Sequence, residues 1–391
     1  MLESPRPEKS RRIDSVDLVR GAVMVIMALD HTRDLFSTTG FLFDPTDLTR
    51  TTPALFVTRW ITHFCAPVFA FLAGTGAYLA LRRGKSKNQL ACYLLTRGVF
   101  LILLDPIVIR HSWFPNLDFT FTWGQIIWVI GWSLVMLAGL VYLPLVCTAA
   151  MAVAMIAGHN LLDAVQADSF GAWANLWRAL HIQGPIQPVA GFTFAVLYPL
   201  IPWPGVVWSG YAFGWILTHE SLTRRRAMVM LGAALTLGFV AIRAMNGYGD
   251  ASHWSGQPDR LFTVFSFFNC SKYPPSLLFL LMTLGPAIVA LGLLSETRGA
   301  FVQFLVTFGR VPLFFYLLHM PFILTLALAF SFARYGENVL KNFPDSPPAD
   351  YGYGLPIVYA VWVFVVLSLF PLCRWYGGVK RRRSDWWLGY L

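Results

Sequence analysis

The residues best able to do chemistry in this chain stand on one short stretch, SVDLVRGAVMVIMALDHTRDLF, residues 15–36. It is an apolar run interrupted by Asp17, Arg20, Asp30, His31, Arg33 and Asp34. A helix turns about 100° per residue, so Arg20 and His31, eleven apart, point within about 20° of each other. On the same count Asp17 lies about 40° away from His31 and Asp34 about 60° away. These four residues share one stripe, with Asp30 at its edge. From Val16 to His31 is roughly 22 Å at the helical rise, against a hydrocarbon layer about 30 Å thick. His31 therefore falls in the outer third of a span, and Asp17 and Arg20 at its inner mouth. Ionisable groups inside a span are costly and by default mark a site. A carboxylate beside an imidazole fixes its tautomer and raises its basicity, which in a water-poor setting makes a general base. Asp17 and Arg20 equally fit a snorkelling ion pair at a helix end. The alternative for His31 is a structural hydrogen bond to a neighbouring helix, against which the flanking acids Asp30 and Asp34 weigh.

Other polar groups sit in apolar surroundings. His63 is near the outer end of a second span, at a depth close to that of His31. That span continues as Ala73-Gly74-Thr75-Gly76-Ala77, small residues that suit close helix packing. Arg97 falls on the inner half of a third span and Asp105 near its outer end. Arg310 and His319 lie in TFGRVPLFFYLLHMP. The planar guanidinium forks of Arg97 and Arg310 suit phosphate, or they pair with Asp17 or Glu296. Lys272 precedes Tyr273-Pro274-Pro275-Ser276 at the start of an eighth span, where proline is ordinary helix-start chemistry.

The elements that must carry these residues follow from composition. Of 391 residues, 30 are Lys or Arg and 20 are Asp or Glu, so 13% are charged while 56% are hydrophobic. A soluble domain carries about twice that charge, and mean hydropathy is +0.57. The fold class expected is all-α, a polytopic membrane bundle. Spans are placed at 16–36, 60–81, 92–109, 125–142, 144–159, 203–219, 226–243, 276–294, 301–330 and 355–373, about ten, the ninth kinked or broken by Pro312 and Pro321. Seventeen basic residues fall in the short inner segments and ten in the longer outer loops, which places both termini in the cytoplasm. The expected organisation is a basic cytoplasmic segment at 1–15, a membrane domain at 16–373 and a basic cytoplasmic tail at 374–391. The net charge of +10 is topological, and no nucleic-acid partner is expected. No phosphate-loop or dinucleotide motif is present, and the five cysteines have no metal-ligand spacing. No metal is expected. The outer segments 37–59, 160–202, 244–275 and 331–354 are long and aromatic. Trp173, Trp177 and Trp254 there, and Trp203 at the start of the sixth span, are interfacial aromatics or sugar-stacking platforms.

The first span resembles that of the transmembrane acyltransferases related to heparan-alpha-glucosaminide N-acetyltransferase. That family opens with a basic residue, then Ser-Val-Asp, two residues, and Arg-Gly. Here the matching residues are Arg12, Ser15, Val16, Asp17, Arg20 and Gly21. The segment Asp30–Asp34, the small-residue second span and GRVPLFFYLLH (Gly309 to His319) are similar to its bacterial branch. The resemblance implies acetyl-CoA or another acyl-CoA as the cytoplasmic donor, with no metal. It implies an amine or hydroxyl acceptor, a small molecule or glycan, on the far side of a bacterial cytoplasmic membrane. In the lysosomal relatives an asparagine at the end of the first span and a histidine in the following loop serve the site. Here His31 stands where that asparagine would be, and no histidine follows between Thr32 and Trp60.

On this reading His31, Asp30 and Asp34 are the catalytic candidates. Asp17, Arg20, Arg97 and Arg310 are the donor-binding candidates, and His63, Lys272 and His319 the acceptor-binding ones. Direct attack on the thioester and an acyl-histidine intermediate both fit. The partners expected are the lipid bilayer, acyl-CoA and the acceptor, with homodimerisation left open. Three competing readings remain. One is a proton-coupled transporter using the Asp/His/Arg stripe, although no internal repeat is visible. Another is a haem protein ligated by His31 and His63. The third is a membrane subunit without chemistry.

Overall fold

The structure is a computed structural model describing residues 14–40, 42–337, 348, 350–383 and 385–390. The basic segment up to Arg12 and the outer-loop Lys341 lie outside the described residues. The chain is mostly helical. In order it forms α1 (Asp14–Phe36), α2 (Pro53–Thr62), α3 (Cys65–Arg82), α4 (Lys87–Ile107), β1 (Phe121–Gly124), α5 (Ile126–Leu140), α6 (Leu145–Gly158) and α7 (Ala174–His181). Then follow β2 (Gly184–Val189), β3 (Phe192–Val196), α8 (Trp203–Phe213), α9 (Ser221–Met245), α10 (Arg260–Phe268), α11 (Leu277–Leu293), α12 (Ala300–Arg310), α13 (Pro312–Tyr335) and α14 (Leu355–Arg382).

Among the described residues, seven helical segments are long and apolar enough to cross a bilayer: 53–82, 87–112, 145–162, 221–245, 277–296, 312–335 and 355–382. The chain is a multi-pass membrane protein. The other three expected spans differ for physical reasons. Helix α1 carries too many charges for a lipid-facing stretch, and it is instead enclosed by α2, α3 and α11–α14. Helix α5 has 15 residues and α8 has 11, both apolar but short. The expected ninth span is broken, not merely kinked: backbone geometry leaves the helical region at Val311 and Pro312 starts α13. Proline is well suited to a first helical turn, where its missing N–H costs nothing. Helix α13 then runs on through Pro321. Helix α14 also continues beyond the expected boundary at 373, as far as Arg382.

Glycine governs the closest crossings. A Cβ on Gly21 of α1 would lie 1.9 Å from the Leu305 carbonyl of α12, and one on Gly309 would lie 1.8 Å from the Asp17 carbonyl. The small-residue run of α3 packs as expected at Gly74, where a Cβ would lie 1.8 Å from the Val207 carbonyl of α8. Gly76, two residues on, has no neighbour there within 4 Å and faces open space.

A small sheet supplements the bundle, in the order β1-β3-β2, with β1 parallel and β2 antiparallel to β3. It aligns the ends of β1 and β3. The Gly124 carbonyl accepts from the Leu197 and Tyr198 amides at 3.1 and 3.3 Å. Gln125 and Tyr198 are thereby held side by side at the α5 entrance.

Candidate active site

Two of the cavities are lined by residues of α1. The larger, about 440 Å³, is lined at its charged positions by Arg20, Arg83, Lys85, Arg97, Arg310 and Lys380, and by no carboxylate among the described residues. It also takes the space left open by Gly76. Asp17 does not line it. The Asp17 carboxylate holds Arg20 at 3.1 Å and faces Arg310 Nε at 3.7 Å. Arg20 also donates to the Gly309 carbonyl at 3.1 Å, a group left accessible by the helix break after Arg310. Arg310 reaches Asp14 at 3.4 Å. Arg97 donates to the carbonyls of Gly389 and Tyr390 at 2.6 and 2.9 Å. Arg20, Arg97 and Arg310 are brought to one chamber from α1, α4 and the α12–α13 break. The Asp17 pairing that was open for Arg310 coexists with its place at this cavity.

The smaller cavity, about 40 Å³, is lined by His31, Asp30, Lys272, Tyr198, Tyr316 and Gln125, among others. Phe69 of α3 lines both chambers. Arg20 and His31 stand eleven residues apart on α1, roughly 16 Å along the axis. The two cavities thus follow the polar stripe of one helix, with Phe69 in the wall of each.

His31 does not hydrogen-bond to Asp30 or Asp34. Its Nδ1 lies 2.8 Å from His319 Nε2, and the two rings stack at 5.0 Å between centroids. His319 is fully buried, and its Nδ1 lies 3.0 Å from the Phe315 carbonyl. A carbonyl only accepts, so the His319 Nδ1 carries the proton. A neutral His319 then accepts at Nε2, and His31 donates from Nδ1. This leaves Nε2 of His31 as the lone-pair nitrogen of the pair. Trp113 and Tyr316 pack edge-on to the His31 ring at 5.5 and 6.5 Å. Trp113 sits in a loop fastened by buried Arg110, which donates to the carbonyls of Asn116, Asp118 and Phe121.

Asp30, placed at the edge of the stripe from sequence, is the centre of a buried charge cluster. Its carboxylate lies 2.8 Å from Arg33, takes Arg59 at 2.8 and 2.9 Å, accepts from Thr62 at 2.7 Å and faces Lys272 at 4.0 Å. Asp34 pairs with Arg33 at 2.5 Å. Two carboxylates therefore meet three cations, leaving an excess of one positive charge beside His31. Lys272 is the cation of this cluster that lines the smaller cavity. Asp250 builds its support, accepting from the Ser271 amide and hydroxyl and from Ser276 at 2.9, 2.8 and 2.6 Å. Ser276 caps α11 through the Phe279 amide at 3.0 Å, so Pro274 and Pro275 lie before the cap and not inside the helix. His63 is buried against Phe279, 5.3 Å between rings, and does not line either cavity.

Arg33 and Arg59 are two of the ten basic residues assigned to outer loops from sequence, yet both are built into the cluster. Their signal was local: Arg33 follows Asp30 by three residues, one helical turn. Tyr198, Tyr316, Gln125 and Phe69 carried no comparable signal. Arg83, Lys85 and Lys380 read only as topological charge.

A family model described as "Heparan-alpha-glucosaminide N-acetyltransferase, catalytic" matches residues 12–244, more than half of the chain. No curated protein gives a match. The chain belongs to this family and is an acetyltransferase-like membrane enzyme.

Proposed function

We propose that this family member moves an acetyl or other small acyl group from cytoplasmic acyl-CoA to an amine or hydroxyl, a sugar or glycan being the favoured acceptor, across the membrane. One observation carries the reading: a chamber lined by six cations and, among the described residues, by no carboxylate lies on the same helix, α1, as a histidine chamber, and Phe69 lines both. The phosphates of the donor match the six cations of the larger cavity. Arg83, Lys85 and Lys380 belong to short, strongly basic segments, which favours the cytoplasm for that mouth. The thioester arm then passes Phe69 toward His31.

The chemistry follows from the protonation of the histidine pair. His31 Nε2 removes the proton of the acceptor as its nitrogen or oxygen attacks the thioester carbonyl. The C–S bond of the resulting tetrahedral species breaks, and the imidazolium returns the proton to the departing thiolate. Lys272 is the cation placed to balance the oxyanion. Asp30 holds Lys272, Arg33 and Arg59 in place and does not itself move the proton. Asp34 acts through Arg33. This revises the roles of both carboxylates from catalytic to positioning. His319 sets the tautomer of His31, a positioning role in place of acceptor binding.

The test is transfer of radiolabelled acetyl from acetyl-CoA to glucosamine by the purified protein in proteoliposomes. The expected result is acceptor-dependent transfer that His31→Ala abolishes while the melting temperature is kept. Full activity in His31→Ala would contradict the assignment.

A further inference from the structure

We propose that His159, Asp163 and His181 bind a zinc ion that clamps the outer loops to the bundle. The three residues share no position with either cavity described above. His159 follows the last residue of α6, Asp163 comes four residues later, and His181 ends α7. One ligand atom from each falls within 4.8 Å of the others.

The decisive feature is His159. Its side chain is 3% exposed, and neither ring nitrogen has a hydrogen-bond partner among the described residues. A buried polar group left unpaired is costly, and such groups in native structures call for an ion, a water or a function. The His181 ring lies 5.7 Å from it, and His181 Nε2 lies 3.8 Å from Asp163 Oδ1. Two imidazoles and a carboxylate are a zinc donor set, and partly exposed Asp163 leaves a side on which water completes a tetrahedron. No thiolate is present to favour softer metals.

The surroundings hold the ligands in place. Asn160 donates to Asp163 Oδ2 at 2.8 Å, and its own Oδ1 accepts from the Leu277 amide of α11 at 2.9 Å. Trp177 stacks on His181 at 5.4 Å and donates to the Val165 carbonyl at 3.0 Å. Binding gives up only the 3.2 Å bond that His181 Nε2 donates to the His159 carbonyl.

The clamp has a target. The amides of Leu200 and Ile201 donate to the Ala179 and Leu180 carbonyls of α7 at 3.0 and 2.7 Å. Tyr198, two residues before Leu200, lines the His31 cavity. A metal joining the end of α6 to α7 therefore steadies one wall of that cavity from outside the bundle.

The experiment is metal analysis of full-length protein purified without chelator, followed by zinc titration of the stripped protein against a chromophoric competitor. One zinc per chain is expected, with a rise in melting temperature on reloading. His159→Ala and Asp163→Asn should each weaken zinc binding about 100-fold or more, since even outer partners of a metal site cost 10–100-fold. The wild-type titration keeps the test valid if a variant fails to fold. Folded wild-type protein that retains no zinc and gains no stability on titration would overturn the proposal. So would zinc binding unchanged in both variants.

Discussion

His319 can satisfy the Phe315 carbonyl only by keeping a proton on Nδ1, and this makes it the group that decides where His31 has its lone pair. Two substitutions separate this from simple packing. His319→Leu removes the acceptor for His31 Nδ1–H and should lower kcat by roughly 10²-fold or more, within the range for a disabled general base. The donor KM should stay near wild type. His319→Gln keeps an acceptor and should retain most of the activity. Steady-state kinetics on both variants checks this, and equal losses would argue against tautomer control. Lys272→Met should lower kcat by roughly 10²–10³-fold, as removal of an oxyanion partner does. Asp30→Asn has a different signature. It leaves Arg59 buried without its carboxylate and Arg33 with Asp34 alone, a loss of about 3–5 kcal/mol. Denaturation in detergent should show it as a lowered midpoint. Of these residues, His31, Asp30 and the α1 stripe were legible because a helix repeats by known angles. The partner of His31 was not, because it lies 288 positions away and no local period reports such a meeting. His31 and Asp30 also face different partners, which adjacency in sequence does not reveal.

Among the elements, α3 shows how one small-residue run serves two purposes. Gly74 permits the α8 backbone to approach, whereas Gly76 leaves room in the basic chamber. Gly74→Val should therefore destabilise the bundle by about 1–3 kcal/mol or more, the cost of overpacking. Gly76→Leu should leave the melting temperature nearly unchanged and weaken acetyl-CoA binding. Thermal unfolding with and without acetyl-CoA distinguishes the two; a folding defect in Gly76→Leu would contradict the assignment. The sequence supported packing for the whole run, since side-chain size alone cannot tell a helix contact from a cavity wall. The break between α12 and α13 was legible from Pro312. Its consequence was not: the break exposes the Gly309 carbonyl to Arg20 and aims Arg310 at the same chamber. The three-stranded sheet was also missed, because its strands have four to six residues and lie in loops without clear alternation.

At the scale of the molecule, composition alone fixed a membrane bundle, since so few charges cannot cover a soluble surface of this size. The enclosure of α1 by six other helices explains why the most polar span is central. It also turns a costly stripe into a path lined by protein. The convergence of Arg20, Arg97 and Arg310 from distant helices was expected from sequence, whereas the other cations of that chamber, Arg83, Lys85 and Lys380, and the Phe69 wall shared with the histidine chamber were not. That convergence is the central claim, and the affinity for acetyl-CoA tests it most directly. Binding should be measured by calorimetry on detergent-purified wild type, Arg97→Ala and His31→Ala. The account predicts saturable binding that weakens at least about tenfold in Arg97→Ala, in line with losing a charge-assisted bond of about 1.5–3 kcal/mol, and persists in His31→Ala. Absence of binding to folded wild type, or equal affinity in wild type and Arg97→Ala, would contradict it.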